Sequence, residues 1–289
     1  MNLKILTLNA HSLHGGREET AKNTERLCDF LSKERPNIIA LQEVNQSKDA
    51  EYADTDHTDA YYRAVTCASP VPMKNDNFAL ELYWQMAKRG LPYHFTYLPM
   101  KKGYGKFDEG LATFSISPIR TSCGFYISRG ESYEDFNTRM ARLVEIKECD
   151  LMLCNLHTSR YDYKKDPFYD QWKRLMTRLP EDRRIILMGD FNCPSDVRGE
   201  GYDRVCESGY FDMYRLSDER IGGKDTAEGG IDGWKDGKRG GRIDYIFSSF
   251  YPKAKKITYS RVLDGERGEV VSDHYGVMVD FEGTEDELS

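Results

Sequence analysis

The stretch that most constrains this chain is Arg184 to Ser195, RIILMGDFNCPS. Ile185, Ile186, Leu187 and Met188 form an unbroken apolar run, with arginines before it and Gly189 after it. Four apolar residues in a row suit a strand buried on both faces, although periodicity alone leaves a short buried helix open. The run delivers Asp190 and Asn192 out of the core. Gly189 lets the backbone bend there, and the carboxylate and carboxamide, two residues apart, point to the same side. Strand ends often carry Asx turn residues, so this segment alone decides nothing about function.

Other apolar runs repeat the pattern. Leu3 to Leu8 ends at Asn9, followed by AHSLHGG with its two histidines. Asn37 to Leu41 ends at Gln42 and Glu43, and Leu151 to Asn155 leads into His157. GRIDYIFSS carries Asp244, and VVSDHYGVMVDF sets Asp273 and His274 before a final strand. Helical spacing from about 18 to 34, closed by Pro36, and patterns over 76–89 and 167–179 place helices between the strands. A further short helix is expected after Asp196. KKGYGKFDEG reads as a Gly-rich loop, 45–72 as a polar excursion, and Ser217 to Gly241, with Trp234, as a long loop of the kind that is functional or disordered. With no linker and no repeat, the whole of 1–289 reads as one α/β domain with a frayed tail from about 283.

Composition narrows the chemistry. The net charge is −7 with 41 basic against 48 acidic residues, which disfavours broad attraction to a nucleic-acid backbone. Bound cations can still supply local positive charge. No run approaches a membrane span, and MNLKILTLNA enters a strand pattern directly instead of a secretory signal. Seven scattered cysteines without a CxxC pair read as free thiols, so a cytoplasmic setting is expected.

Asn9, Glu43, His157, Asp190, Asn192, Asp244, Asp273 and His274 thus each stand at the edge of an apolar run. Oxygen-rich groups of this kind suit Mg²⁺ or Mn²⁺. An adjacent acid and imidazole, with a second acid to fix the imidazole, suit phosphoester hydrolysis: a cation on phosphate oxygens, an oriented water and donors for developing charge.

In order, TLNAH, IIALQEV, DEGLATFSISPI, NLHTS, MGDFN, RIDYIF and SDHYGV resemble the motifs of the endonuclease/exonuclease/phosphatase superfamily, over nearly the whole chain. The resemblance implies a four-layer α/β/β/α sandwich of two packed mixed β-sheets flanked by helices. It makes Glu43 the principal metal ligand, with Asn9 and Asp273 completing or supporting the site. Asp190 would orient or deprotonate water, and Asn192 would hold phosphate or that water. His274 paired with Asp244, and His157 paired with Glu109, would stabilise the transition state. Where many relatives have LSRxPI this chain has FSISPI, with Ile116 in place of Arg, so a phosphate contact is either missing or supplied by Arg139. His11 either reaches substrate or caps its loop. TLNAHS, NFALEL, DTAEGGIDGW and RIDYIF are similar to a bacterial subgroup that includes maltose 6′-phosphate phosphatase.

The expected activity is therefore a Mg²⁺- or Mn²⁺-dependent phosphatase acting on a small phosphorylated substrate, with Trp234 either stacking on a sugar or packing its own loop. A nuclease is the alternative, with KKGYGK and KRGGR as its basic footprint. A non-catalytic binding protein is the third reading, and the full set of acids and histidines argues against it.

Overall fold

Alternation along the strands explains the architecture. In the computed structural model, which describes residues 2–54, 58, 60–66, 71–147, 150–229 and 241–283, β8 (Arg184–Asp190) is buried on both faces. Ile185 and Leu187 join one apolar cluster while Ile186 and Met188 join another. The same split occurs in β1 (Leu3–Asn9) and β2 (Ile38–Ser47), where Ile5, Ile38 and Ala40 face one way and Leu6, Leu8, Ile39 and Leu41 the other. A strand buried on both sides needs a layer against each face, and the chain supplies them.

The first sheet adds β3 (His94–Gly103), β4 (Phe107–Ser115), β10 (Glu219–Ile221), β12 (Lys256–Val262) and β13 (Gly276–Glu282), in the order β10-β12-β13-β1-β2-β4-β3. The second is built from β5 (Ile119–Tyr126), β6 (Met140–Ile146), β7 (Leu151–His157), β8, β9 (Phe211–Asp212) and β11 (Asp244–Ser248), in the order β5-β6-β7-β8-β11-β9. Each sheet centres on a parallel pair, β1 with β2 and β7 with β8, flanked by antiparallel neighbours. Between the sheets lies the cluster of Ile5, Ala40, Val144, Leu153, Met188 and Val279. Helices α1 (Arg17–Glu34) and α2 (Phe78–Lys88) cover the outer face of the first sheet; α3 (Phe168–Met176) and α4 (Gly201–Glu207) cover that of the second. The expected α/β/β/α sandwich is what forms. Each fully buried Leu, Ile or Phe contributes about 1.5–3 kcal/mol, and Asn77 fixes the start of α2 by accepting from the amides of Ala79 and Leu80 at 2.9 and 3.1 Å.

Three local expectations are corrected. KKGYGKFDEG is mostly strand: β3 and β4 pair through it, leaving a turn at 104–106. Strand β2 runs on to Ser47, into the stretch read as an excursion, because a bulge between Leu41 and Val44 lets pairing resume with Asn45 opposite Glu109. The helix expected just after Asp196 begins only at Gly201. No helix among the described residues is long and apolar enough to cross a membrane.

Candidate active site

The parallel pairs of the two sheets end on the same side of the sandwich, and the polar residues sit where those strands stop. Asn9 closes β1, His157 closes β7 and Asp190 closes β8. Asp244, first residue of β11, lies opposite Asp190 in register. Glu43 stands in the β2 bulge in the left-handed region, φ 47°, and Asn192 follows β8 at φ 48°. For a glutamate that backbone costs about 1 kcal/mol, tolerated where the surrounding pairing fixes it, and the bulge turns the carboxylate out of the sheet. Gly189 has φ 141°, and a β-carbon there would stand 2.0 Å from the Leu156 carbonyl oxygen. Only glycine lets β8 approach β7 so closely as it hands over Asp190.

The side chains converge. Asn9 Nδ2 donates to Glu43 Oε1 at 2.9 Å and to Asp190 Oδ2 at 3.2 Å, while its Oδ1 accepts from the His11 amide. Asn9 therefore joins two acids and supports the site more than it offers an open ligand. Asp190 Oδ1 accepts from the Asn192 amide at 2.8 Å, and Oδ2 lies 3.7 Å from His157 Nε2 and 3.9 Å from His274 Nε2. His274 Nδ1 meets Asp244 Oδ2 at 2.9 Å. His157 Nδ1 is buried without a hydrogen bond and lies 3.8 Å from Glu109 Oε1, the oxygen that also meets the Lys101 ammonium at 3.2 Å. Asp273 Oδ1 and Glu43 Oε2 both face His11 Nδ1, at 3.5 and 3.2 Å.

The charge states differ from group to group. Burial would lower His274, but Asp244, with Asp190 and Asp273, overrides it and raises the imidazole to about 10. Burial and then the Asp244 charge push Asp190 up to about 7, against His274 and the donors from Asn192 and Asn9. Burial opposes ionisation of Glu43 as well, yet the contact with His11, the nearby His157 and the Asn9 amide hold it well below the carboxylate range. His157 is depressed by burial, Arg139 and Lys101 despite Glu43, and is neutral at pH 7. Two acids and two histidines thus take opposite roles through their surroundings.

These groups open into a cavity of about 400 Å³, whose walls also include Lys101, Asn137, Arg139, Arg160 and Tyr163, with Tyr104 and Phe136 among them. Arg139 is anchored through Nη1 to the carbonyls of Phe136 and Thr138, both at 3.1 Å. Ile116 is remote: its amide bonds Asn37 at the opposite end of β2, and its side chain is exposed. The Arg missing from FSISPI is thus missing from a position away from this cavity. His11 does not simply cap its loop, since Asn9 does that and the His11 ring faces Glu43 and Asp273. Trp234 lies outside the described residues.

Three participants escaped the sequence reading. Lys101, set down as part of a basic loop, is buried beside Glu109 at 3.2 Å, and burial with the Arg139 charge lowers it to about 8 despite that acid. His14 stacks on His11 with ring centres 3.8 Å apart; the HSLH spacing was the available signal. Thr226 donates from Oγ1 to Asp244 Oδ2 at 2.6 Å and accepts from the amides of Ile243 and Asp244, and nothing in DTAEGG announces it. Of the basic footprint, Lys102 pairs with Glu134, and Arg242 is buried against Asp212 at 2.7 Å; 238–240 lie outside the described residues.

Two groups among the described residues can hold a metal ion: His11, His14 and Glu43, and Asp190, Asp244 and His274. In the second, Asp244 Oδ2 already accepts from Thr226 and faces His274.

The sequence matches the model of the Endonuclease/Exonuclease/phosphatase family over residues 6–274. A search of curated proteins finds no match. Among solved structures, an endonuclease/exonuclease/phosphatase family protein from Leptotrichia buccalis C-1013-b superposes with a TM-score of 0.80 at 24% identity, over 97% of this chain and 99% of that one. A mannosyl-6-phosphatase from Bacteroides thetaiotaomicron VPI-5482 gives 0.58 at 18% identity, over 96% and 98%. Truncated TDP2 from Caenorhabditis elegans gives 0.57 at 14%, over 98% of each chain. At these identities the likeness is one of fold.

Proposed function

Because the chain belongs to the endonuclease/exonuclease/phosphatase family, whose fold hydrolyses phosphoesters, we propose that it is a metal-dependent phosphatase acting on a small sugar-phosphate-type monoester. The observation that carries this reading is one cavity of about 400 Å³ that Glu43, Asp190, His157, His274 and Arg139 line together. That volume suits a small ligand. The inward burial of Lys101 and Arg242 weakens the nuclease alternative, since a phosphate backbone needs exposed cations. The fold shared with a mannosyl-6-phosphatase agrees with a sugar phosphate.

Glu43 and Asp273 fit a divalent cation: Glu43 is held ionised, and both carboxylates face one point on the cavity wall. They would hold Mg²⁺ or Mn²⁺, which when bound would neutralise phosphate charge. Asp190 takes a proton from water at the Oδ2 edge shared with Asn9. Asn192 lies beside it, its backbone holding Asp190 Oδ1. His274, kept cationic by Asp244, donates to the phosphoryl oxygens as charge develops, with Arg139 across the cavity. His157 stays neutral beside Glu109, which lies 3.8 Å from its Nδ1. Attack is direct and in line, without a covalent enzyme intermediate.

The test is a phosphate-release screen with Mg²⁺ and Mn²⁺ over sugar phosphates, inositol phosphates and nucleotides, beside a plasmid-nicking assay. We expect release from one small monoester, an intact plasmid and silence after EDTA. Nicking without monoester turnover would replace this reading by the nuclease. Activity surviving thorough chelation would remove the metal from it.

A further inference from the structure

We infer that His11 and His14 are metal ligands, and that with Glu43 and Asp273 they make the cation site one that selects a transition metal over Mg²⁺. This rests on the metal-dependent reading above for the site's location, and its test is independent of turnover.

The two rings come from one short loop after β1 and lie stacked, 3.8 Å between centres and 25° between planes. Their nitrogens converge on one carboxylate oxygen: His11 Nδ1 is 3.2 Å from Glu43 Oε2, and His14 Nε2 is 3.5 Å from it. Asp273 Oδ1 lies 3.5 Å from the same His11 nitrogen. Around an ion with bonds near 2.1 Å, neighbouring donor atoms stand about 3.0–3.4 Å apart. The spacing observed is close to that of a ligand shell.

His14 Nε2 supplies an independent sign. The atom is buried and has no hydrogen-bond partner, an arrangement proteins avoid unless something else satisfies the group. Its ring is held edge-on to Tyr104 and tilted against Phe107, at 5.1 and 5.5 Å, so the nitrogen cannot turn freely to solvent. The loop backbone is bent to match: His11 at φ 43° and Leu13 at φ 66° are both left-handed.

The donor set decides the metal class. Mg²⁺ prefers oxygen and water in near-octahedral order, whereas imidazole suits Mn²⁺ less than Co²⁺ or Zn²⁺, and all three better than Mg²⁺. Two nitrogens and two carboxylates therefore favour a borderline ion. The preference for Mg²⁺ or Mn²⁺ drawn from an oxygen-only set counted neither histidine as a ligand.

The experiment uses the full chain, stripped with EDTA and titrated calorimetrically with MgCl₂, MnCl₂ and CoCl₂. We expect Mn²⁺ and Co²⁺ to bind at least about tenfold tighter than Mg²⁺. His11→Asn, which tolerates the left-handed backbone, and His14→Gln should each weaken Co²⁺ about tenfold or more, change the visible Co²⁺ absorption, and leave Mg²⁺ nearly unaffected. Electron spin-echo spectra of the Mn²⁺-loaded wild type should show modulation from directly bound imidazole nitrogen, a readout that survives any misfolding of the variants. Mg²⁺ binding as tightly as Co²⁺, or spectra without bound nitrogen, would overturn the proposal. If nitrogen is bound but no phosphoester turns over, the site stands and the phosphatase reading falls.

Discussion

Two buried charge clusters sit a few residues apart in this sandwich, and they are built on opposite principles. Arg242 and Asp212 form a closed pair: both guanidinium Nη atoms donate to the carboxylate, at 2.9 and 2.7 Å. Tyr202 donates to the same acid at 2.8 Å, and Tyr214, Tyr245 and Tyr202 pack their rings around the cation at 4.6, 4.7 and 5.2 Å. Across β11, acids crowd the candidate site in excess of cations. His157 Nδ1, Asp244 Oδ1 and His14 Nε2 are buried without a hydrogen bond, and the histidine contacts to Asp190 stretch to 3.7 and 3.9 Å. A satisfied cluster fixes the fold; one left with spare, pre-aimed groups is waiting for a ligand to complete it.

That contrast is broken if both clusters respond alike to mutation. The largest effect we expect is Asp190→Asn, which keeps the shape but removes the proton acceptor. Turnover should fall by about 10³-fold or more with KM little changed, while the protein stays folded, because the remaining amide oxygen still accepts one of the two donors, from Asn192 or Asn9. A loss of only two- or three-fold would remove Asp190 from catalysis. Next in size, Arg242→Met leaves Asp212 buried and unpaired. That costs about 3–5 kcal/mol, or roughly 10 °C in melting temperature, while activity of the folded fraction persists. Full stability with lost turnover would assign Arg242 to the site.

The same contrast explains what was legible in the sequence. Strand ends are local, so TLNAH, NLHTS, MGDFN and SDHYGV displayed Asn9, His157, Asp190 and the Asp273–His274 pair. The two-faced burial of Ile185–Met188 followed from an unbroken apolar run. What depends on register was hidden. Lys101 reads as a loop lysine until β3 and β4 pair through it and set it against Glu109. Arg242 reads as part of a basic patch until β11 and β9 bring Asp212 to it. The strained backbone of Glu43 comes from a bulge, a property of pairing that no motif of β2 states by itself.

The middle of the candidate-site cluster can be read through pH. With Asp190 raised to about 7 and His274 to about 10, wild-type kcat/KM should climb through the first value as the base ionises and fall toward the second as the imidazolium is lost, the limbs belonging to the coupled set. Asp244→Asn deletes a negative charge that raises both. Both limbs should then move to lower pH, and activity at pH 8 should fall about 10²-fold because His274 is neutral there. A profile that drops in height with both limbs in place would make Asp244 a scaffold residue only.

Thr226 gives the smallest and sharpest test, because it belongs to both kinds of cluster. Its hydroxyl donates to Asp244 Oδ2, the oxygen that also faces His274, and accepts the amides of Ile243 and Asp244. Its carbonyl accepts from Tyr275, and Ala227 beside it bridges to Gly241 and His274. Thr226 thus ties the segment before it and Gly241 to the Asp244–His274 pair. Thr226→Val should lower kcat about tenfold by freeing the Asp244 carboxylate to swing. The alkaline limb should stay near about 10, because the Asp244 charge remains and no longer shares itself with a hydroxyl. Thr226→Ser, which keeps the oxygen, should restore turnover. An alkaline limb that falls as it does in Asp244→Asn would show that Thr226 sets the charge of the pair; failure of serine to rescue would show that the methyl group, and not the hydrogen bond, holds that segment to the site.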